Sequence, residues 1–197
     1  DCAGLRPPVG QELLVTTDFS LEGVHFRREW HPPETVGHRC LNRGLSDIAA
    51  MGGEPMACFL SLALPSDLPQ KWVDGFYRGL LRLASRHGVP LSGGDTAQSP
   101  SGVLADIMVL GSAPRGKAVL RSGAKVGDCI YVTGLLGSGG ATVRRMYAGE
   151  KVKPASVPHY FAPQPRLKIG QKLRELASAM IDVSDGLTTD LSHVCKE

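Results

Sequence analysis

The chain has 197 residues, with 22 Lys and Arg against 19 Asp and Glu, a formal net charge of +3. So close a balance does not advertise a polyanion-binding footprint, and no nucleic-acid partner is expected. Hydrophobic content of 42% with 21% charged residues suits a globular chain rather than a disordered one, and no run of about 18 apolar residues offers a membrane span.

From the N-terminus, residues 13–17 predict a short strand after a Pro-Pro-Val-Gly turn. Residues 33–52 predict a helix, with Val36, Cys40, Leu41, Leu45, Ile48 and Ala49 at helical spacing and Met51-Gly52-Gly53 as its stop. Residues 57–64 read as an apolar strand ending at Pro65. Residues 68–87 read as an amphipathic helix whose one face carries Trp72, Val73, Phe76, Leu80, Leu83 and Ala84, with Gly88 after it. A brief strand at 89–92 runs into a turn, Gly93-Gly94-Asp95-Thr96, and 103–110 is a further strand.

Residues 111–127, rich in Gly, Ser, Lys and Arg, are the expected junction between an N-terminal domain, 1–112, and a second domain, 113–197. Beyond it the pattern predicts a strand at 129–133, a Gly-rich turn at 134–140, a helix to about Ala148 and a Pro-containing loop at 151–163. A helix at 166–176, a strand at 179–183 and a last helix from Gly186 follow. The fold class is α+β, in two domains, without an internal repeat.

The five cysteines form no CxxC pair, and Cys40, Cys58 and Cys129 sit in apolar runs, where buried reduced thiols are common. A reducing cytoplasm suits them better than a disulfide framework. The six histidines show no HxxxH or HxH spacing and so give no zinc site.

Five acids stand at strand ends beside glycines or on an apolar helix face: Asp18, Asp47, Asp95, Asp182 and Asp185. Singly, such residues cap helices and make Asx turns. Together they would repel one another if the fold brought them close, and a hard divalent cation such as Mg²⁺ relieves that repulsion while bridging to phosphate oxygens. Residues 111–117 nearly spell the phosphate-binding GxxxxGK[ST], but Ala118 lacks the hydroxyl and no amphipathic helix follows. The turn at 134–140 is either a tight strand-to-helix connection or a phosphate seat at a helix N-terminus.

Taken in order, the segments resemble the thiamine-monophosphate kinases, within the ATP-binding superfamily that includes aminoimidazole ribonucleotide synthetase. The resemblance rests on Thr16-Thr17-Asp18 with Glu22-Gly23-Val24-His25-Phe26, on Leu45-Ser46-Asp47-Ile48-Ala49-Ala50-Met51-Gly52, and on Gly93-Gly94-Asp95-Thr96. Arg121-Ser122-Gly123-Ala124, Val132-Thr133-Gly134 and Asp182-Val183-Ser184-Asp185-Gly186-Leu187 complete it. It implies transfer of the γ-phosphate of ATP to thiamine monophosphate, direct and in line, assisted by several Mg²⁺ ions and with no residue required as general base. It implies metal ligation by Asp1, Thr16, Thr17, Asp18, Asp47, Asp95, Asp182 and Asp185. Nucleotide contacts fall on Gly94, Asp95, Arg121, Ser184 and Tyr77, and a substrate contact on His25. It further implies a cytoplasmic homodimer formed through the N-terminal sheet, with Cys58, Leu60 and Leu62 or their alternating neighbours at the interface, followed by an α/β C-terminal domain. The alternatives are a sister activity of the superfamily, selenophosphate synthetase-like or hydrogenase-maturation-like, or an ATP-binding fragment without turnover. The chain opens inside a metal-binding motif and stops short of the family's length, so it is expected to be an incomplete enzyme. Asn42-Arg43-Gly44 stands where the family is more apolar, and the sequence assigns that departure no role.

Overall fold

A computed structural model describes residues 2–197. Four strands make one mixed sheet: β1 (Gln11–Leu21), β2 (Glu54–Pro65), β3 (Leu91–Ser99) and β4 (Leu104–Pro114), in the order β1-β4-β2-β3. β4 lies antiparallel to both β1 and β2, while β2 and β3 are parallel. The parallel pair is joined by α2 (Gln70–His87), as parallel strands need a crossover. α1 (Pro33–Ala50) starts with a proline in its first turn, where the missing N–H costs nothing. It packs on β1, β4 and β2, and α2 packs on it.

The pleat sorts β1 by residue parity. Leu14 and Ser20 are buried and Thr16 and Asp18 half-buried on the α1 side, while Leu13, Val15, Thr17 and Phe19 are exposed on the other. The core is the α1 stripe Val36, Cys40, Leu41, Leu45 and Ile48 against Cys58, Leu60 and Leu62 of β2 and Ala105, Ile107 and Val109 of β4. Burying such side chains contributes about 1.5–3 kcal/mol each. The two helices cross at glycines. A Cβ on Gly37 would stand 1.9 Å from the Phe76 carbonyl oxygen, and one on Gly79 1.9 Å from that of Glu34. Backbones this close leave no room for any side chain at the crossing.

After β4 the described residues form helices and turns only: α3 (Ser138–Tyr147), a 3₁₀ turn (Pro154–Ser156), α4 (Pro158–Phe161), α5 (Leu167–Leu173) and α6 (Leu187–Val194). The expected strands at 129–133 and 179–183 do not form. Strands exist by pairing, and neither segment has a partner; one backbone bond, Met180 N–H to the Leu120 carbonyl oxygen at 3.1 Å, is what the second segment makes. Ile130 and Tyr131 are correspondingly exposed, and so is Cys129, which the apolar run had placed inside. The expected turn at Gly93-Gly94-Asp95-Thr96 lies inside β3, because the backbone pairs with β2 straight through it. The loop at 151–163 carries two short helical turns. No helix among the described residues is long and apolar enough to cross a membrane.

Candidate functional site

β1 and α1 bring the first acids together. Thr16 and Asp18 project from the same face of β1 toward α1, and the Thr16 hydroxyl donates to Asp47 Oδ2. Asp47 stands beside the apolar stripe of α1, one turn after Arg43, and the Thr16 bond together with that cation explains how the helix tolerates a half-buried carboxylate. The next residue back, Ser46, donates from Oγ to Asp182 Oδ2 at 2.9 Å. That bond brings a carboxylate from residue 182 to α1 and so closes a cluster of Asp18, Asp47 and Asp182.

The electrostatics agree with the geometry. Burial raises the Asp18 carboxyl above its ordinary value, Arg43 opposes the rise, and Asp182 and Asp106 add to it. Asp47 is raised by burial and by Asp18 against the Thr16 hydroxyl and Arg43. Asp182 is raised by burial and by Asp47, against its bond from Ser46. Three half-buried carboxylates thus repel one another, and among the described residues the cation that faces them is Arg43, whose Nη1 lies 3.8 Å from Asp18 Oδ1.

The donors are carboxylate and hydroxyl oxygens, the set that Mg²⁺ prefers, and the excess of negative charge fits a divalent cation. Among the described residues, no three His, Cys, Asp or Glu side chains stand close enough to chelate an ion on their own.

His25 and the turn at 184–186 border the cluster. His25 Nδ1 accepts from the Leu21 N–H at 3.0 Å. Burial lowers its pKa, Arg43 and Arg39 lower it further, and Asp185 pulls the other way. The turn itself is built by a residue that sequence reading passed over. The buried Asp190 Oδ2 accepts from the N–H groups of Ser184, Asp185 and Gly186 at 3.0, 3.2 and 3.1 Å. An acid in the first turn of α6, just after Asp-Gly-Leu, was the signal available for it.

Other expected residues stay apart. Asp1 lies outside the described residues. The Thr17 side chain is exposed on the opposite face of β1. Gly94 and Asp95 lie on β3, the far edge of the sheet from β1, three strand spacings or about 14 Å away. There Asp95 accepts from the Thr96 N–H at 2.8 Å. Gly94 has φ 143°, and a Cβ on it would meet the Leu60 carbonyl oxygen at 1.8 Å, so only glycine fits. Tyr77 packs edge-on to Phe76 at 5.8 Å between ring centroids. Arg121 is exposed and lies 3.7 Å from Glu197. In the near-miss phosphate loop, Gly116 and Ala118 give their N–H groups to Glu12 Oε1 at 3.0 and 3.3 Å, so the anion held there is the protein's own.

Residues 1–113 match the model of the family described as AIR synthase related protein, N-terminal domain. The chain is 39% identical over 201 residues to thiamine-monophosphate kinase of Escherichia coli strain K12, a match covering 100% of this chain and 61% of that protein. The crystal structure of thiamine-monophosphate kinase from Stenotrophomonas maltophilia K279a superposes with a TM-score of 0.90 at 36% identity, covering 100% of this chain and 64% of that one. AaThiL, solved in complex with AMPPCP and TMP, superposes with a TM-score of 0.88 at 31% identity, covering 97% and 62%. The chain therefore spans a little over three fifths of the length of these relatives.

Proposed function

The chain belongs to the AIR synthase related family, and from that membership we propose that the intact protein transfers the γ-phosphoryl group of ATP to thiamine monophosphate, giving thiamine diphosphate and ADP. The observation that carries this reading is the gathering of Asp18, Asp47 and Asp182 around Thr16 and Ser46, in a chain akin end to end to thiamine-monophosphate kinases. A relative bound to AMPPCP and TMP supports the same pair of substrates.

In this reading Thr16, Asp18, Asp47 and Asp182 hold magnesium, with Asp185 beside them. When bound there, magnesium neutralises charge on the phosphoryl group in transfer and on the ADP that leaves. The residues of the chain do the positioning. Ser46 fixes Asp182, the Asp190-braced turn presents the Ser184 and Asp185 side chains, and His25 contacts the thiamine end of the acceptor. The attacking atom is an oxygen of the acceptor phosphate, already ionised near neutral pH, so no side chain need act as general base. The bond formed joins that oxygen to the γ-phosphorus, and the bond broken is the β–γ bridge.

The residues expected at a homodimer interface, Cys58, Leu60 and Leu62, are instead buried in the core under α1, so the proposed interface moves to the opposite face of the sheet, where Leu13, Val15 and Phe19 of β1 and Met108 of β4 are exposed. An apolar patch of this kind on an open sheet is suited to a partner sheet. The buried free thiols Cys40 and Cys58 suit a cytoplasmic location.

The test is formation of thiamine diphosphate by the intact protein from ATP and thiamine monophosphate, with and without Mg²⁺. Turnover should require the metal, and Asp47→Asn should reduce kcat by at least about a hundredfold while leaving the melting temperature equal or higher, since it removes one of three repelling carboxylates. No turnover by the folded wild-type protein would reject the reading.

A further inference from the structure

His25 stands on a short loop after β1, and the bonds of that loop set how its ring faces. Gly23 takes φ 83°, a left-handed turn that suits glycine. Its N–H donates to the Phe26 carbonyl oxygen at 2.8 Å, and the Val24 and His25 N–H groups donate to that of Leu21 at 3.2 and 2.8 Å. His25 Nδ1 accepts in return from the Leu21 N–H at 3.0 Å. In a neutral imidazole whose Nδ1 accepts, the proton is on Nε2, so the other ring nitrogen is a donor.

These bonds reach no further than Leu21, the last residue of β1. Phe26, buried and lying along the Trp72 ring, fixes the loop to the core. Glu22 fastens it to the neighbouring strand. Its N–H donates to the Val103 carbonyl oxygen at 2.9 Å, which carries the pairing of β1 with β4 one step past β1. Its carboxylate then accepts from the Val103 N–H at 2.9 Å through Oε2 and from Arg28 Nε through Oε1. One carboxylate thus ties both ends of the segment that carries His25 to the start of β4. The Glu22 side chain is 17% exposed and that of Arg28 36%, so the pair is partly withdrawn from water, where charged bonds hold direction best. The adjacent Arg27 turns elsewhere, its guanidinium carbon 4.7 Å from the Trp30 ring centroid and 5.1 Å from that of Tyr147 on α3. An ion pair near the surface adds little to global stability, and its loss is felt mainly where it holds a segment in place.

We propose that Glu22 is a positioning residue for the acceptor: by joining Arg28 to the Val103 N–H it holds the loop so that His25 presents Nε2–H as a fixed donor to the thiamine end of thiamine monophosphate. The proposal rests on the functional reading above, which makes His25 a contact of that substrate. Glu22 itself touches neither substrate. It acts on acceptor binding through the place of one ring, and the nucleotide and the phosphoryl transfer do not depend on it.

The test compares the intact wild-type protein with Glu22→Ala, Glu22→Gln and Arg28→Ala, and with Glu150→Ala, which breaks a surface pair with Arg145, as the control. Steady-state kinetics are read for both substrates. NMR of the ring nitrogens, with His25 assigned by its loss in His25→Gln, reads the tautomer without any substrate. Glu22→Ala should raise KM for thiamine monophosphate at least about tenfold, with KM for ATP within about twofold and kcat within about threefold. Its His25 ring should move from the Nε2-protonated form of the wild type toward a mixture of tautomers. Glu22→Gln keeps an acceptor for the Val103 N–H and Arg28→Ala keeps the carboxylate, so each should fall between, and Glu150→Ala should change nothing. A role confined to stability would lower the melting temperature of Glu22→Ala without separating the two substrates. An unmoved KM for the acceptor, a rise shared equally by ATP, a wild-type ring protonated on Nδ1, or the same tautomer in wild type and Glu22→Ala would each overturn the clamp. Should Glu22→Ala fail to fold, Glu22→Gln and Arg28→Ala carry the same readings. Absence of turnover in the folded wild type would instead reject the functional reading, and the tautomer comparison would still decide whether Glu22 holds His25.

Discussion

Asp190 is the residue whose removal should be felt most locally. Its carboxylate is buried and accepts three backbone N–H groups from consecutive residues. In Asp190→Ala those donors lose their partner together, at a cost of about 2–3 kcal/mol for the turn. Amide hydrogen exchange at Ser184, Asp185 and Gly186 should quicken at least about tenfold, and Asp190→Asn, which keeps one acceptor oxygen, should fall between. Unchanged exchange in the alanine variant would mean the turn is held by something else. The candidate acids Asp18, Asp47 and Asp182 were legible from their places at strand ends and on an apolar helix face. The residues that pair with them were not. Ser46, Arg43 and Asp190 are ordinary helix residues until the fold shows which groups they reach, because a hydrogen bond between residues 46 and 182 leaves no trace in local spacing.

At the scale of single elements, β1 serves two purposes because its side chains alternate. The even residues from Leu14 to Ser20 carry core and cluster. The odd ones carry Val15 and Phe19, each more than half exposed at 56% and 54%. If that face forms a dimer, Val15→Asp together with Phe19→Asp should yield monomers at micromolar concentration, with the circular dichroism of the wild type retained. Sedimentation velocity reads both proteins, and a wild type that is already monomeric would remove the dimer from the proposed function. Alternation and helical period located β1, β2, β4 and both long helices and caught only the first two residues of β3, and they could not tell a paired strand from an unpaired one. The apolar runs at 129–133 and 179–183 have strand composition without a ladder partner, and Gly93-Gly94-Asp95-Thr96 has turn composition within a ladder. Pairing is a long-range fact, and it outweighed local preference in both directions.

On the scale of the whole molecule, the residues after β4 are held to the first half through α1 and the residues just before and after it. His38 Nε2 meets the Pro163 carbonyl oxygen at 2.7 Å, Gln171 donates to Gly53, and His31 Nε2 meets the Tyr160 hydroxyl at 3.1 Å. His31 is buried, and that burial lowers its pKa from 6.5 to about 4, against the backbone bond to Arg27. The unfolded chain therefore binds a proton that the folded one refuses between those two values. Stability is unaffected by this group above about pH 6.5, falls as the pH drops toward about 4, and levels off below it, with a loss of about 3 kcal/mol at most. Urea midpoints of the wild type at pH 7, 5.5 and 4.5 should fall more steeply than those of His31→Gln. Parallel slopes would show that His31 is not the group responsible.

The sequence by itself determined the α+β class, the two amphipathic helices, the strands that build the sheet and the set of acids from which the site is drawn. Those features follow from side-chain periodicity and from the positions of glycine and proline, which act over a few residues. Tertiary structure decided which acids meet. It joined Asp182 to Asp18 and Asp47, left Asp95 on the opposite sheet edge, filled the phosphate-like loop with Glu12 and set two arginines beside His25. Convergence depends on strand order and on which face of α1 receives the second half of the chain, and neither is encoded in the spacing of any one segment.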